Sequence, residues 1–159
     1  MTGYTYCPPP AVAEPLSVQP LYLPALLADI QDPRAGAVVL FSGEARNHSN
    51  GSTVVALEYE AYEPMAIRMI NNIVAEAIDK FSLHKALCRH RLGRVDVGES
   101  AVVVITASSH RAEAYAANRY IIDRVKHEVP IWKKELFIDG TSSYSHNCSC
   151  HAHNTETDD

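Results

Sequence analysis

Positive charge is in short supply in this 159-residue chain: 14 lysines and arginines stand against 19 acidic residues, a formal net charge of −5. A general affinity for nucleic acid or anionic membrane is thereby excluded, and any anion site must come from local geometry. No apolar stretch approaches the roughly 20 residues that span a bilayer. Residues 1–15 hold no arginine, lysine or apolar run, so they do not read as a signal or transit peptide. The four cysteines are Cys7, Cys88, Cys148 and Cys150. With three of them near the termini they do not form a secreted disulfide framework, and the expected compartment is the reducing cytosol. Nor is there a P-loop, a Gly-x-Gly-x-x-Gly, a Gly-x-Ser-x-Gly or a His-Glu-x-x-His, which removes the strongest signals for nucleotide-dependent transfer, serine hydrolysis and zincin chemistry.

What is present suits one globular domain, with 47% hydrophobic residues. Residues 1–15 are proline-rich and read as flexible. A short edge strand is expected at 16–19 and a short helix over 21–30, stopped at Asp32-Pro33. Residues 36–45 are β-branched and apolar, a buried strand. After a polar turn over 46–52, residues 53–62 read as its returning partner. Glu63-Pro64 opens a long helix with proline in its first turn. Its inner face carries Met65, Met69, Ile73 and Ala77, with Ile70, Val74 and Ile78 alongside, to about Lys80.

Strands follow at 83–92 and 101–107, joined through 93–100. A second long helix is expected over 110–129, with Tyr115, Ile121, Ile122, Val125 and Val129 inward, ended by Pro130. A last strand spans 131–138, with Trp132 assigned to the core, and the polar residues 140–159 read as a disordered tail. Hairpins between helices favour an α+β fold: a mixed, largely antiparallel sheet with two long helices and one short helix. The expected division is a single domain over 16–139 between the two tails.

Cationic side chains gather at element boundaries between Ser108 and Glu135. His110-Arg111 begins a helix, where free N–H groups and the dipole favour an anion and cations need a compensating one. Lys126 lies in the last turn of that helix, where it also complements the dipole without any function. Lys133 and Lys134 sit next to each other on a strand, so one can face a pocket while the other faces solvent. Arg46 ends a buried strand, a place that equally suits a solvated rim charge. Cys88, inside an apolar run, reads as a buried structural thiol. His146, Cys148, Cys150, His151 and His153 hold ligand types for zinc but lack structural-zinc spacing, so no metal is expected.

Several segments together carry a resemblance to one family. They are Gly36-Ala37-Val38 through Gly43, Arg46-Asn47, and Leu57 to Tyr62 with Pro64-Met65. His90-Arg91-Leu92-Gly93, Ser108-Ser109-His110-Arg111, Lys126 and the stretch Val129 to Glu135 complete the set. In order and spacing, over about residues 16–138, they resemble the large, catalytic subunit of molybdopterin synthase. The resemblance implies a hammerhead-like fold and a homodimer flanked by two copies of a small ubiquitin-like partner. That partner's C-terminal Gly-Gly thiocarboxylate supplies two sulfurs to cyclic pyranopterin monophosphate, making the molybdopterin dithiolene.

The resemblance further implies substrate contacts at Arg46, His110, Arg111, Lys126, Lys133, Lys134 and Glu135. Lys126 and Lys133 are the expected acid/base pair, and no cofactor or metal of the chain's own is implied. Glu44 departs from members that carry a lysine there, and no binding role is carried to it. Rival readings are a non-catalytic module holding a ubiquitin-like tail and an unrelated enzyme on a small phosphate ester. In an unbroken helix Lys126 would lie about 24 Å from His110 at 1.5 Å per residue. Unless the helix bends sharply, the two ends serve one pocket only across a dimer.

Overall fold

A computed structural model describes residues 14–146; most of the proline-rich start and the Cys/His stretch from Asn147 onward lie outside the described residues. In chain order the elements are β1 (Leu16–Ser17), α1 (Leu23–Ile30), β2 (Ala37–Glu44), β3 (His48–Ser49), β4 (Ser52–Ala61) and α2 (Glu63–Lys80). Then come β5 (Lys85–Arg91), β6 (Gly93–Asp96), β7 (Ser100–Ser108), α3 (Arg111–Glu128), β8 (Ile131–Phe137) and β9 (Ser142–His146). One sheet has the order β1-β5-β7-β2; the other runs β3-β4-β8-β9, with β6 also paired to β4. Among the described strand pairs only β1 with β5 is parallel. The fold is α+β, with a mixed and largely antiparallel arrangement, two long helices and one short one, as the sequence indicates.

Strand β7 explains the layering. Its run Ala101 to Ser108 is buried at every position, because apolar side chains on both faces of a strand each need cover. Val103, Ile105 and Ala107 point to one face, where they pack with Leu87 of β5 and Ile30 of α1. Val102 and Val104 point to the other, against Ile70, Ile73 and Ala77 of α2 and Ile121 and Val125 of α3. The long helices follow from their spacing: Ala66, Ile70, Ile73 and Ala77 form one buried stripe on α2.

Helix α3 buries small residues and one amide. Ala114, Ala117, Asn118, Ile121, Ile122 and Val125 face inward. Asn118 donates from Nδ2 to the carbonyls of Val39 and Val104, each at 3.0 Å, stitching the helix to β2 and β7. Thr106 Oγ1 donates to the Ala114 carbonyl at 2.7 Å. Just before α3, a Cβ on Gly36 would run into the Ser109 carbonyl, so the residue before β2 and the residue before His110 touch through backbone alone.

Four local expectations change. Tyr115 is 64% exposed, because it stands one residue, about 100° of helix, outside the stripe that begins at Ala114. Trp132 is 43% exposed rather than core, since strand alternation turns it away from the face of Lys133. The connector over 93–100 contains β6, paired to β4 from Ala56 to Tyr59. Of the expected disordered tail over 140–159, the described residues 140–146 instead turn back at Gly140 (φ 86°). Asp139 Oδ1 accepts from Thr141 N at 2.8 Å, and Ser142–His146 pairs with β8. Backbone ladder bonds serve a polar strand as well as an apolar one, which hydropathy does not register.

Replacing Asn118 by the near-isosteric leucine removes two interior hydrogen bonds. Asn118→Leu is expected to lose about 1–3 kcal/mol in urea unfolding, with the slope of the transition unchanged.

Candidate active site

Residues from both sheets and from α3 line one cavity of about 210 Å³. Strand alternation delivers Leu57 and Tyr59 from β4 and Lys133 and Glu135 from β8. Gly43 and Glu44 at the end of β2, Arg46 just beyond it, and Val102 of β7 close other sides. Lys126 enters from the last turn of α3. Arg46 is exposed, but the residue behind it is fixed: Ala45 is buried, its N–H donating to Glu99 O at 3.0 Å and its carbonyl accepting from Gly98 N at 2.8 Å.

Three cations (Arg46, Lys126, Lys133) thus share the cavity with two carboxylates (Glu44, Glu135). Lys133 Nζ lies 3.5 Å from Glu135 Oε1, with their side chains 19% and 16% exposed. Lys126 has its pKa lowered, first by burial and then by the charge of Lys133. A lysine so placed holds its proton less firmly than one in water. Burial, then the Glu135 charge, pushes the Tyr59 phenol up to about 12, so it stays protonated.

The sequence-derived candidates divide in space. Arg46, Lys126, Lys133 and Glu135 come together. Lys134 does not: it turns to the opposite face, 3.9 Å from Glu58 Oε2 and 5.3 Å from the Tyr144 ring centroid. His110 caps α3 at its far end and lines a separate cavity of about 330 Å³ with Lys80, Ser109 and Glu113. Arg111 is exposed in the first turn there. Helix α3 is a single helix from Arg111 to Glu128, so a sharp bend does not bring its two ends together.

Tyr59, His48 and Leu57 also line the cavity. Strand alternation puts Leu57 and Tyr59 on one face of β4, the signal that could have singled them out. Cys88 is buried, and burial drives its thiol up to about 12, so it is not a nucleophile at neutral pH. Among the described residues no group of three His, Cys, Asp or Glu is placed to hold a metal ion. Nor is any helix there long and apolar enough to cross a membrane.

Beneath the cavity lies His90, fully buried on β5 with its ring edge-to-face on Tyr59. Burial holds it at about 4, with the charge of Lys126 acting in the same direction and the Arg91 carbonyl opposing.

An α+β chain whose two sheets and long helix enclose a half-buried lysine pair beside an arginine belongs to the class of proteins with a built, cation-lined recess. The MoaE protein family matches residues 13–128. The molybdopterin synthase catalytic subunit of Bacillus subtilis is 46% identical over 121 residues, 76% of this chain and 77% of that one. The crystal structure of molybdopterin synthase from Staphylococcus aureus superposes with a TM-score of 0.77 at 35% identity, over 82% of this chain and 94% of that one. The complex of subunits 1 and 2 of molybdopterin-converting factor from Helicobacter pylori shares the fold, with a TM-score of 0.66 at 24% identity, over 82% and 88% of the two chains. The chain belongs to the MoaE family, the catalytic subunits of molybdopterin synthase.

The buried imidazole makes stability pH-dependent. Above 6.5 it is neutral in both folded and unfolded chains. As pH falls from there toward about 4, the unfolded chain takes up a proton that the folded chain refuses, so stability is lost. Between pH 7 and pH 5 the wild type should lose about 2 kcal/mol more than His90→Gln in urea unfolding. Equal losses would place the titration elsewhere.

Proposed function

We propose that this chain transfers sulfur to cyclic pyranopterin monophosphate from the thiocarboxylated C-terminal Gly-Gly of a small ubiquitin-like subunit. The product is the molybdopterin dithiolene. Both reactants are anions, one through its phosphate and one through its thiocarboxylate, and Arg46, Lys126 and Lys133 are the donors suited to them. The observation that carries this reading is the half-buried lysine pair. Sulfur attack and loss of oxygen from the pterin side chain need proton transfers, and a lysine with a lowered pKa can make them near neutral pH.

Lys126 and Lys133 act as the acid/base pair, Lys126 nearest the thiocarboxylate, and Glu135 holds Lys133. Arg46, His110 and Arg111 hold phosphate and pterin. Lys134, on the far face, takes no part in this cavity. The catalytic unit is the domain 16–139 with β9 added, and it works in the cytosol without a metal or cofactor of its own.

His110 and Arg111 reach a cavity with Lys126 only if they come from a second copy. The single span of α3 supports that arrangement. So does the size of the cavity, about 210 Å³, when small-molecule sites usually enclose about 300–1,000 Å³. The assembly is a homodimer of this chain flanked by two small subunits, a reading supported by the subunit complex known for the Helicobacter pylori relative.

Purified protein mixed with cyclic pyranopterin monophosphate and thiocarboxylated small subunit should yield the dithiolene, detected as its oxidised fluorescent derivative. Product should require the thiocarboxylate. Lys126→Ala should keep its fold and lose at least about 100-fold in rate. Binding of the small subunit without product would leave a docking module, and neither binding nor product would overturn the reading. A separate test addresses the shared site. A verified heterodimer of Lys126→Ala and Arg111→Ala subunits contains one intact site if the residues combine across subunits, and should recover part of the wild-type rate. No recovery would place both residues in the same subunit's site.

A further inference from the structure

A histidine with no solvent exposure is costly to keep unless both ring nitrogens are served. His90 is such a residue, and its surroundings belong to the cavity. Its partner across the ladder is Val102, and its ring meets Tyr59 edge-to-face at 4.9 Å between centroids; both neighbours line the cavity. Nδ1 lies 2.8 Å from the Arg91 carbonyl oxygen. A carbonyl only accepts, so Nδ1 carries the hydrogen. The anchor is itself fixed, since the buried Arg91 donates from Nη2 to Arg94 O at 2.8 Å and pairs with Glu99 at 3.5 Å. Because burial keeps the ring neutral at physiological pH, Nε2 is left as an acceptor. Lys126, whose charge acts on this ring, has donors and no acceptor to offer.

We propose that His90 is a positioning residue for Lys126: its tautomer is set by the Arg91 carbonyl, and its Nε2 accepts a hydrogen bond from the Lys126 ammonium, aiming that side chain into the cavity. The proposal rests on the acid/base role read for Lys126 above. Other charged and titratable groups share the cavity with Lys126. Lys133 of β8 repels it, and Glu135 is engaged with Lys133. Glu44 at the end of β2, Arg46 beyond it, His48 of β3 and Tyr59 of β4, whose phenol stays protonated, also line the cavity. An acceptor favours the ammonium form, so His90 partly offsets the lowering caused by burial and Lys133. Removing the acceptor must therefore lower the Lys126 pKa further.

Two variants separate positioning from space-filling. His90→Phe keeps a ring but no acceptor; His90→Gln places an amide oxygen near the position of Nε2. Lys126 is followed directly through the 13Cε resonance of labelled lysine, assigned by Lys126→Arg. In His90→Phe its titration should move down by about one unit, a tenfold change in the proton equilibrium, and in His90→Gln it should stay near wild type. In the sulfur-transfer assay the limb of the kcat profile governed by Lys126 should move the same way, with kcat falling more than KM changes. A folded His90→Phe whose Lys126 titration is unmoved overturns the proposal. If His90→Phe does not fold, His90→Asn, too short to reach, replaces it, and equal titrations in Asn and Gln variants overturn it. The resonance needs no turnover, so a wild type inactive in the assay would sink the function proposed above while leaving this inference standing.

Discussion

Every layer of this fold is arranged around a strand that cannot be left bare on either side. β7 is apolar on both faces and is hydrogen-bonded to β5 on one edge and β2 on the other. One face calls for α1, the other for α2 and α3, and burying them supplies the main stabilising term of the fold. The cavity appears where this cover ends. At the Ala101-Val102 end of β7 the helix α3 has reached its last turn, and the second sheet leans in with β4 and β8. The site is a seam between layers rather than a hollow cut into one.

Charge in that seam is used sparingly. The chain as a whole is acidic, with a formal net charge of −5, so the recess that gathers Arg46, Lys126 and Lys133 draws an anion through local geometry. Lys133 is tied to Glu135, while Lys126 is destabilised as a cation by its burial. The two lysines therefore differ in environment although they are chemically alike. Burial and the neighbouring Lys133 charge make Lys126 the looser proton holder.

The strands and long helices were legible because their hydrophobic periods are clear, and the ends of α3 fell within a residue of the expected His110 and Val129. Arg46 follows β2, Lys126 lies on α3, and Lys133 and Glu135 on β8, and no spacing rule joins them; only the family likeness brought them into one list. Alternation told that Lys133 and Lys134 face opposite ways but not which one faces inward, because that depends on which side of β8 the first sheet covers. Tyr59 and His90 looked like ordinary strand residues, since burial beneath a site and burial in a core produce the same pattern. β9 stayed hidden because its stabilisation is backbone pairing to an open edge of β8, which leaves no mark in side-chain hydropathy.

Helix α3 carries a last consequence. The residues leading into it press on Gly36 just before β2, its middle is stitched to the sheet by Asn118, and its final turn holds Lys126. It is a rigid ruler whose two graduations belong to different pockets. A substitution on its outer face leaves both marks in place. One inserted or deleted residue between them turns Lys126 by about 100° and shifts it by about 1.5 Å. The length of this helix is therefore a tighter constraint on the protein than most of the letters written along it.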